Sequence, residues 1–574
     1  MSDMPRQLNL VLCWHMHQPD YRDYSSGEFV LPWTYLHAAK DYSDMAFHLE
    51  QQPQARAVVN FVPVLLDQLE DYTQQFKSGD IRDPLLRLLV REDLNLLSVE
   101  ERDLLFNSCF RSNHATMIAP YPPYQRLFKM FQEIEAHEER HYEYFSSQYL
   151  ADLLVWYHLI WTGESVRRST ELLPRLMSQG SLFSYTDRRL LFELYGETIA
   201  GLIPRYRKLL QEGRIELSTT PHYHPIAPLL IDLKSTRDAM PDAAMPDALV
   251  YPGGVERMNF HIDSALRTHT ARFGQAPNGM WPAEGAVSQA SLMQMAKHGL
   301  QWAATGTGVL ENSLRHATGN LPDKSQYLYR PYVLQVDDKQ IHCFFRDDHL
   351  ADLIGFEYAQ WYARDAVANF LHELEAILER APQGESPMVS VILDGENAWE
   401  YYSYNGYYFL SELYEALAQH PSIRMTTFSE YLQNCTLGGP SCAVERQLPH
   451  VVAGSWVYGT FSTWIGDRAK NHAWDLLCAA KQSFDQVMAS GRLNEDERQA
   501  ALRQLADCES SDWFWWFGDY NPAQSVEMFD TLYRANLSQL YRHLHLPVPS
   551  VLDQPISHGS GHSIETGGTM RRGS

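Results

Sequence analysis

The chain has 574 residues, enough for several domains or for one large barrel with attachments, and 45% of them are hydrophobic. Lys and Arg number 47 and Asp and Glu number 71, so the formal charge is −24. That charge repels the phosphates of nucleic acids and anionic membrane surfaces. Nucleic acid and membranes are therefore not expected as partners, whereas a neutral substrate is compatible with the charge. The sequence leaves the oligomeric state open.

The cysteines and the N-terminus predict the cellular compartment. Seven cysteines lie far apart without a CxxC pair, which fits a reducing compartment better than a disulfide framework or a zinc site. No run approaches the ~18 consecutive apolar residues of a membrane span. No signal-peptide cleavage region follows the first short apolar run. We therefore expect a cytoplasmic protein.

Short apolar runs, each ending in a polar and aromatic cluster, recur along the chain. LNLVLCW (8–14) leads into HMHQPDYRD, RIELSTT (214–220) into PHYHPIAPLL, NGMWP (278–282) into AEGAVSQ, and MVSVIL (388–393) into DGENAWEYY. Helical stretches lie between these runs. Strand, polar loop and helix in repetition are typical of an α/β barrel, whose active site collects at the carboxyl ends of the strands. A doubly wound open sheet is the alternative, but such a sheet concentrates its ligands at one switch point.

The remaining segments predict the domain boundaries. Residues 62–210 have a mostly helical pattern and are interpreted as an insertion that covers part of the barrel mouth. We expect the catalytic barrel over 1–435, followed by a loop and a C-terminal helical bundle over 436–548. The tail, 549–574, is rich in Gly, Ser and His and is predicted to be disordered.

Two carboxylates stand directly after predicted strands. Glu284 lies in GMWPAEGAVSQ (279–289), and Asp394 is the first polar residue after MVSVIL. Each has a plain alternative: an acidic residue near the first turn of the next helix, or a helix cap. As a pair they would suit a retaining glycosidase, which needs two carboxyl groups ~5–5.5 Å apart.

Histidines, one arginine and several tryptophans accompany these acids. His15 and His17 could bind a metal or hydrogen-bond sugar hydroxyls, and His224 faces the same choice. Arg346 belongs either to a solvated turn with Asp347 or to the site, where a cation would keep a catalytic carboxylate ionised. The tryptophans near the C-terminus either pack in the core or line sugar subsites.

Together these pieces resemble glycoside hydrolase family 57, whose members share five short regions. All five regions occur here in the family's order: HMHQPDY (15–21), GRIELSTTPHYHP (213–225), GMWPAEGAVS (279–288), VILDGENAWEYY (391–402) and AGSWVYGTFSTWIGD (453–467). The resemblance covers about residues 8–520. It implies an incomplete (β/α)₇ barrel followed by a helical bundle.

The resemblance also implies the chemistry and the site. Glu284 would be the nucleophile and Asp394 the acid/base of a retaining mechanism, with no metal and no organic cofactor. Substrate-binding positions would be His15, His17, Gln18, Glu216, His224, Arg346 and Asp347, with Trp281, Trp399, Trp456, Trp464 and Trp513 stacking on glucose rings.

The residues of the third and fourth regions, WPAEG and DGENAWE, are most similar to those of the α-amylases and amylopullulanases of the family. This similarity implies hydrolysis of α-1,4 and also α-1,6 bonds in starch- or glycogen-type α-glucans. The alternatives are a 4-α-glucanotransferase or branching enzyme, a non-catalytic glucan-binding protein, and a metal-dependent mannosidase.

Overall fold

The computed structural model describes residues 6–136, 142–336, 338–437, 442–448 and 450–560. Seven parallel strands close into a barrel in the order β7-β1-β2-β3-β4-β5-β6, and Ser390 of β7 pairs with Arg346 of β6. The strands are β1 (Leu8–Met16), β2 (Ala57–Phe61), β3 (Ile215–Thr219), β4 (Gly279–Met280), β5 (Trp302–Gly306), β6 (Lys339–Arg346) and β7 (Met388–Asp394). The predicted (β/α)₇ barrel is thus confirmed, and the open sheet is excluded.

Burial on both faces explains why these strands read as continuous apolar runs. All nine residues of β1 are buried. Leu10 and Leu12 pack outward in the large core shared with the helices, whereas Val11 and Cys13 pack in a smaller core that also contains Trp302. That smaller core draws on strands all around the barrel and fills its interior.

Short strands and many helices surround the barrel. Tyr332–Val336 pairs antiparallel with β6 and parallel with Arg446–Gln447, Ile423–Met425 pairs with β1, and Arg22–Asp23 forms a ribbon with Glu28–Phe29. The α-helices of the barrel region outside the β2–β3 connection are Trp33–His37, Ser43–Gln51, Ala227–Ile231, Gly254–Phe273, Gln289–Lys297, Thr307–Thr318, Lys324–Tyr327, Asp348–Asp352, Ala363–Arg380, Tyr407–Gln419 and Phe428–Thr436. Short π and 3₁₀ segments are Ala38–Tyr42, His114–Ile118, Tyr142–Tyr144, Leu233–Asp238, Ala283–Gly285, Leu353–Glu357, Tyr358–Gln360, Trp399–Tyr401, Ser403–Gly406 and Ser550–Asp553.

The connection between β2 and β3 is helical, as the pattern of residues 62–210 predicts. Its α-helices are Pro63–Ser78, Pro84–Val90, Val99–Cys109, Pro122–Glu135, Ser147–Ile160, Glu164–Ser169, Leu172–Gln179 and Tyr185–Gln211. From this insertion Arg111 and Trp161 reach the cavity at the barrel mouth.

In the part of the chain that the structure describes, the α-helices after the barrel are Arg468–Ser490, Glu495–Cys508, Ser511–Trp516 and Ala523–His543. A fully buried carboxylate, Glu509, joins this C-terminal region to the barrel helix Gly254–Phe273. It accepts hydrogen bonds from Arg257 (2.7 Å) and lies 2.7 Å from His261 Nε2. The next residues of the chain are thereby held at the barrel mouth.

Two expectations from the sequence need correction. Cys435 and Cys442 form a disulfide, so the cysteines are not all unpaired. Residues 549–560 of the tail are ordered: Leu552 is buried, and the Ile556 amide donates to Asp530 at 2.7 Å. Residues 561–574 lie outside the described part. Within that part, no helix is long and apolar enough to cross a membrane.

Candidate active site

Glu284 lies in a strained turn, Ala283–Gly285, shortly after the end of β4 at Met280. Its φ of 55° and ψ of 27° place it in the left-handed region, where a residue other than glycine costs ~1–3 kcal/mol. Trp456 secures it twice: the backbone N–H donates to the Glu284 carbonyl (3.2 Å), and Nε1–H donates to Oε2 (3.0 Å). The cap of the following helix is Ser288, not Glu284. The capping alternative therefore does not apply to this carboxylate.

Asp394 is the last residue of β7 and pairs in register with His15 of β1. Burial raises the pKa of its carboxyl group. Three groups oppose that rise: Asn397, which donates a hydrogen bond of 2.8 Å, and the nearby charges of Arg346 and His17. The short helical turn at Trp399 has no side-chain cap. Asp394 is therefore a desolvated strand-end acid rather than a helix cap.

Glu284 and Asp394 line one cavity at the carboxyl ends of the strands. Sequence-predicted residues on the same wall are His15, His17, Gln18, Arg346 and Trp456. Further lining residues include the aromatic side chains of Tyr21, Trp33, Trp161, Phe356, Trp515, Trp516 and Phe529, and the polar side chains of Arg111, Glu396, Glu400 and Asp512. A cavity with convergent carboxylates and an aromatic wall suits a polyhydroxylated ligand with apolar faces.

Three imidazoles are packed beside Asp394. His15 lies 2.8 Å from Asn60 Oδ1, and its pKa falls to about 3 through burial and the nearby His17. His224 lies 2.8 Å from Ser511 Oγ, and burial, His17 and His15 lower its pKa well below the usual value. His17 Nε2 lies 2.9 Å from Asp512. His15 and His224 are thus neutral hydrogen-bonding groups near neutral pH.

His17, His224 and Asp512 offer ligand atoms within 4.8 Å of one another and form a candidate metal cluster among the described residues. However, the His17 and His224 rings stack with centroids 3.8 Å apart and an interplanar angle of 21°. The lone pairs of imidazole nitrogens lie in the ring plane, so stacked rings direct them side by side rather than toward a shared ion. This arrangement suits hydrogen bonding better than tetrahedral coordination.

Two further acids follow Asp394 into the cavity. Glu396 Oε1 accepts from the His17 amide and from Gln18 Nε2, both at 3.2 Å. Burial and the charge of Asp394 raise the pKa of Glu396 well above its usual value. Burial raises the pKa of Glu400 to about 7, although Lys40 opposes the rise. Neither acid is predicted from the sequence to belong to the site.

A family model covers most of the barrel and its rim: the model of glycosyl hydrolase family 57 matches residues 11–440. The chain belongs to this family. The structure resembles the family 57 branching enzyme of Pyrococcus horikoshii, with a TM-score of 0.54, 14% identity and 99% of both chains covered. The branching enzyme of Thermococcus kodakaraensis gives 0.54 and 14%, over 98% of this chain and 99% of that one. The Thermotoga maritima α-amylase gives 0.53 and 13%, over 94% of both chains. No curated protein matches the chain.

Several residues that the family 57 resemblance assigned to substrate lie elsewhere. Trp281, Trp399, Trp464 and Trp513 are at most 1% exposed and belong to the core, where they cannot stack on a sugar. His224 is fully buried behind the ring of His17.

Two acids of the same prediction have structural partners instead. Asp347 caps the helix Asp348–Asp352 and binds Lys324 and Tyr329. Glu216 is the second residue of β3, at the amino end of the barrel, where it accepts from Trp302 Nε1 (2.7 Å) and the Ser429 amide (3.0 Å). Side chains at that end of such barrels contribute to stability rather than to catalysis.

The family 57 regions quoted above do not include the segment that delivers Asp512, Trp515 and Trp516. These three residues stand at i, i+3 and i+4 of one short helix, Ser511–Trp516, and therefore share a face. Trp513 points the other way into the core and donates to the Asp507 carbonyl at 2.7 Å. Once SSDWFWW is known to be a helix, its spacing predicts that Asp512, Trp515 and Trp516 share one face and that Trp513 points away from it.

Proposed function

We propose that the chain is a retaining glycosidase of α-glucans in which Glu284 is the nucleophile and Asp394 the acid/base. The observation that carries this proposal is the placement of two strand-end carboxyls, from β4 and β7, on one cavity in different environments. Asp394 is desolvated and its pKa is raised, which suits a proton donor. Glu284 accepts an N–H from Trp456, a bond that favours the charged carboxylate a nucleophile requires.

The reaction follows the double displacement of retaining enzymes. Glu284 attacks the anomeric carbon while protonated Asp394 gives its proton to the departing glycosidic oxygen, so a β-glucosyl ester forms. Asp394, now ionised, takes a proton from an incoming hydroxyl group, which displaces Glu284 and restores the α-configuration. His15, His17 and Gln18 lie beside the site and are suited to hydrogen-bond the hydroxyls of the sugar being cleaved.

Two observations support the proposed substrate class: the family of the chain and the aromatic lining of the cavity. Two similar solved structures are a branching enzyme and an α-amylase, and the cavity here has the aromatic faces that pyranose rings pack against. We propose hydrolysis of α-1,4 bonds, and of α-1,6 bonds as a further target, in starch- or glycogen-type chains.

Glucan transfer is a second candidate, because the same intermediate can be intercepted by a sugar hydroxyl. Its supporting observation is the set of aromatic side chains around the cavity, contributed by the insertion and the C-terminal region as well as the barrel. Such a wall can seat an acceptor sugar and exclude water. Incubation with maltoheptaose and pullulan separates the two: longer products mean transfer, and release of reducing ends means hydrolysis.

The roles of the two acids are tested with Glu284→Gln and Asp394→Asn. Both variants should lose nearly all activity on maltooligosaccharides. With an α-glucosyl fluoride substrate, whose leaving group needs little protonation, Asp394→Asn should still form the intermediate, and added azide should release an α-glucosyl azide. Glu284→Gln cannot form the intermediate and should give the β-azide.

Mass spectrometry of the trapped Asp394→Asn enzyme should find the sugar on the Glu284 peptide. Glu216→Gln is the matched control, since Glu216 lies at the opposite end of the barrel and its replacement should leave labelling intact. Sugar on Glu396 or Glu400, or an inverted product from the native enzyme, would contradict the proposed roles.

A further inference from the structure

A second, smaller cavity lies beside the catalytic cavity, and Glu400 lines both. Its polar wall includes Arg167, Thr116 and Asn405, and its aromatic wall includes Tyr404. The catalytic mechanism uses none of these four residues. The cavity is too small for a sugar ring, so it serves as a polar recess beside a larger surface rather than as a binding pocket by itself.

That surface carries exposed tyrosines. Tyr404 is 57% exposed and Tyr408 is 48% exposed, and their rings meet edge to face with centroids 5.5 Å apart. Arg168 holds Tyr408 by a hydrogen bond of 3.1 Å to its hydroxyl group. Its guanidinium also stacks on Tyr407, 4.3 Å from the ring centroid. We call Tyr404, Tyr407 and Tyr408 the tyrosine platform.

The backbone beneath the tyrosine platform is strained. Tyr404 (φ 54°, ψ 39°) and Asn405 (φ 54°, ψ 35°) are consecutive left-handed residues without being glycine. Each costs ~1–3 kcal/mol. The Asn405 side chain offsets part of its strain by donating a hydrogen bond of 2.9 Å to Asp44. The Tyr404 ring, in contrast, lies largely in solvent, where it meets the ring of Tyr408.

We propose that the tyrosine platform is an auxiliary binding site for an α-glucan chain, separate from the residues that cleave it. The proposal rests on the α-glucan specificity proposed above. An exposed tyrosine face matches the apolar face of a pyranose ring, whereas Arg167 and Thr116 hydrogen-bond within the protein and support the recess beneath it. Because Glu400 joins the recess to the catalytic cavity, a chain on the platform lies on the approach to the reaction site.

The decisive variant is Tyr404→Gly, which removes the ring and also relieves the left-handed strain. It should fold at least as stably as the native protein. In electrophoresis through gels containing amylopectin, its retardation should be clearly weakened. Its KM for amylose should rise about threefold to tenfold, the loss of roughly one aromatic contact. Turnover of α-maltosyl fluoride should stay at the native level.

Tyr362→Ala is the matched control, since Tyr362 is 85% exposed but belongs to the start of another helix, Ala363–Arg380. It should behave like the native protein in every assay. Native retardation and native KM in Tyr404→Gly, or an equal loss in Tyr362→Ala, would overturn the platform as a specific site. If the native protein neither turns over the fluoride nor is retarded, the proposed function itself fails.

Discussion

Two regions of the molecule meet at one cavity, and they differ in how they are built. The barrel rim supplies Asp394 from the end of β7, where the register with β1 fixes its backbone. It supplies Glu284 from the turn after β4, where Trp456 holds the backbone. The C-terminal segment supplies Asp512, Trp515 and Trp516 from a six-residue helix. Asp394 is positioned by the sheet itself, whereas the C-terminal segment depends on tertiary contacts made by the residues around it.

Those contacts are identifiable. Glu509 is clamped by Arg257 and His261 of a barrel helix. Two residues later, the Ser511 amide donates to the His224 carbonyl at 3.0 Å. Asp512 then reaches His17. We expect substitutions in this clamp, formed by Glu509 with Arg257 and His261, to lower both stability and catalytic efficiency. Substitutions at single positions of the C-terminal segment should change mainly one of the two.

The largest effect is expected from Glu509→Gln, because it leaves Arg257 as a buried charge without its partner. Removing one member of a buried ion pair typically costs ~3–5 kcal/mol of unfolding free energy, which a denaturant titration measures. Catalytic efficiency should fall as well, since Asp512 loses its anchor. Arg189→Met is the control: its pair with Glu193 is about half exposed, so stability should change by less than ~1 kcal/mol. Equal effects in both variants would contradict the clamp.

The same pair predicts a pH dependence. Burial opposes ionisation of Glu509, but Arg257 and His261 outweigh it and lower the carboxyl pKa to about 2. A carboxyl group with a lowered folded-state pKa stabilises the protein above its unfolded pKa, and that contribution disappears as pH falls toward the folded value. The native protein should therefore lose stability between about pH 5 and pH 2 more steeply than Glu509→Gln. Parallel slopes would show that Glu509 is not the responsible group.

Substitutions of two tryptophans in the same helix, Trp513 and Trp515, should have different effects on stability and on substrate binding. Trp513 is fully buried, so Trp513→Ala should cost ~3–5 kcal/mol of stability. Trp515 lines the cavity and is only partly buried, so Trp515→Ala should mainly raise the KM for maltooligosaccharides with a smaller loss of stability. Thermal denaturation and steady-state kinetics on both variants test this. Reversed behaviour would mean that the helix is rotated relative to the cavity.

Asp512→Asn tests what the C-terminal segment contributes to chemistry. The lost interaction is a charge-assisted contact of 2.9 Å with His17, and such bonds contribute ~1.5–3 kcal/mol. We expect kcat/KM to fall roughly 10- to 100-fold with little change in unfolding free energy. Asp519→Asn, in the same segment but exposed, should retain native kinetics. Native kinetics in Asp512→Asn would mean that the C-terminal segment lines the cavity without contributing to the reaction.

The rim and the C-terminal segment also differ in what the sequence reveals. Strand-end positions such as Asp394 follow from apolar runs, because parallel strands bring their carboxyl ends to one edge. The same logic fails for Glu216, which occupies the amino end of its strand. Side-chain direction in the tryptophan-rich segments was not predictable, because it depends on helix rotation and on partners hundreds of residues away. Hence the resemblance assigns Trp464 and Trp513 to sugar, Trp515 and Trp516 stay undecided between core and subsite, and Asp512 is not predicted.

The smallest effect is expected from Glu396→Gln, because glutamine keeps both the neutral charge and the hydrogen-bond acceptor of this side chain. Burial and Asp394 raise the pKa of Glu396 well above its usual value, which favours the neutral acid. Its Oε1 accepts from the His17 amide and Gln18, and a glutamine can do the same. Glu396→Gln should therefore keep kcat/KM within about threefold, the range of a net hydrogen bond or less.

Glu396→Ala provides the contrast, because it leaves the His17 amide and the Gln18 side chain without their acceptor. An unsatisfied buried donor costs ~1–3 kcal/mol, so this variant should lose at least tenfold in kcat/KM. The pH profile decides between the two descriptions of Glu396. If the side chain were ionised in the active enzyme, its charge would raise the pKa of Asp394, and glutamine would move the alkaline limb of the profile to lower pH. An unmoved limb in Glu396→Gln, together with the loss in Glu396→Ala, identifies Glu396 as a neutral residue that positions the end of β1 against Asp394.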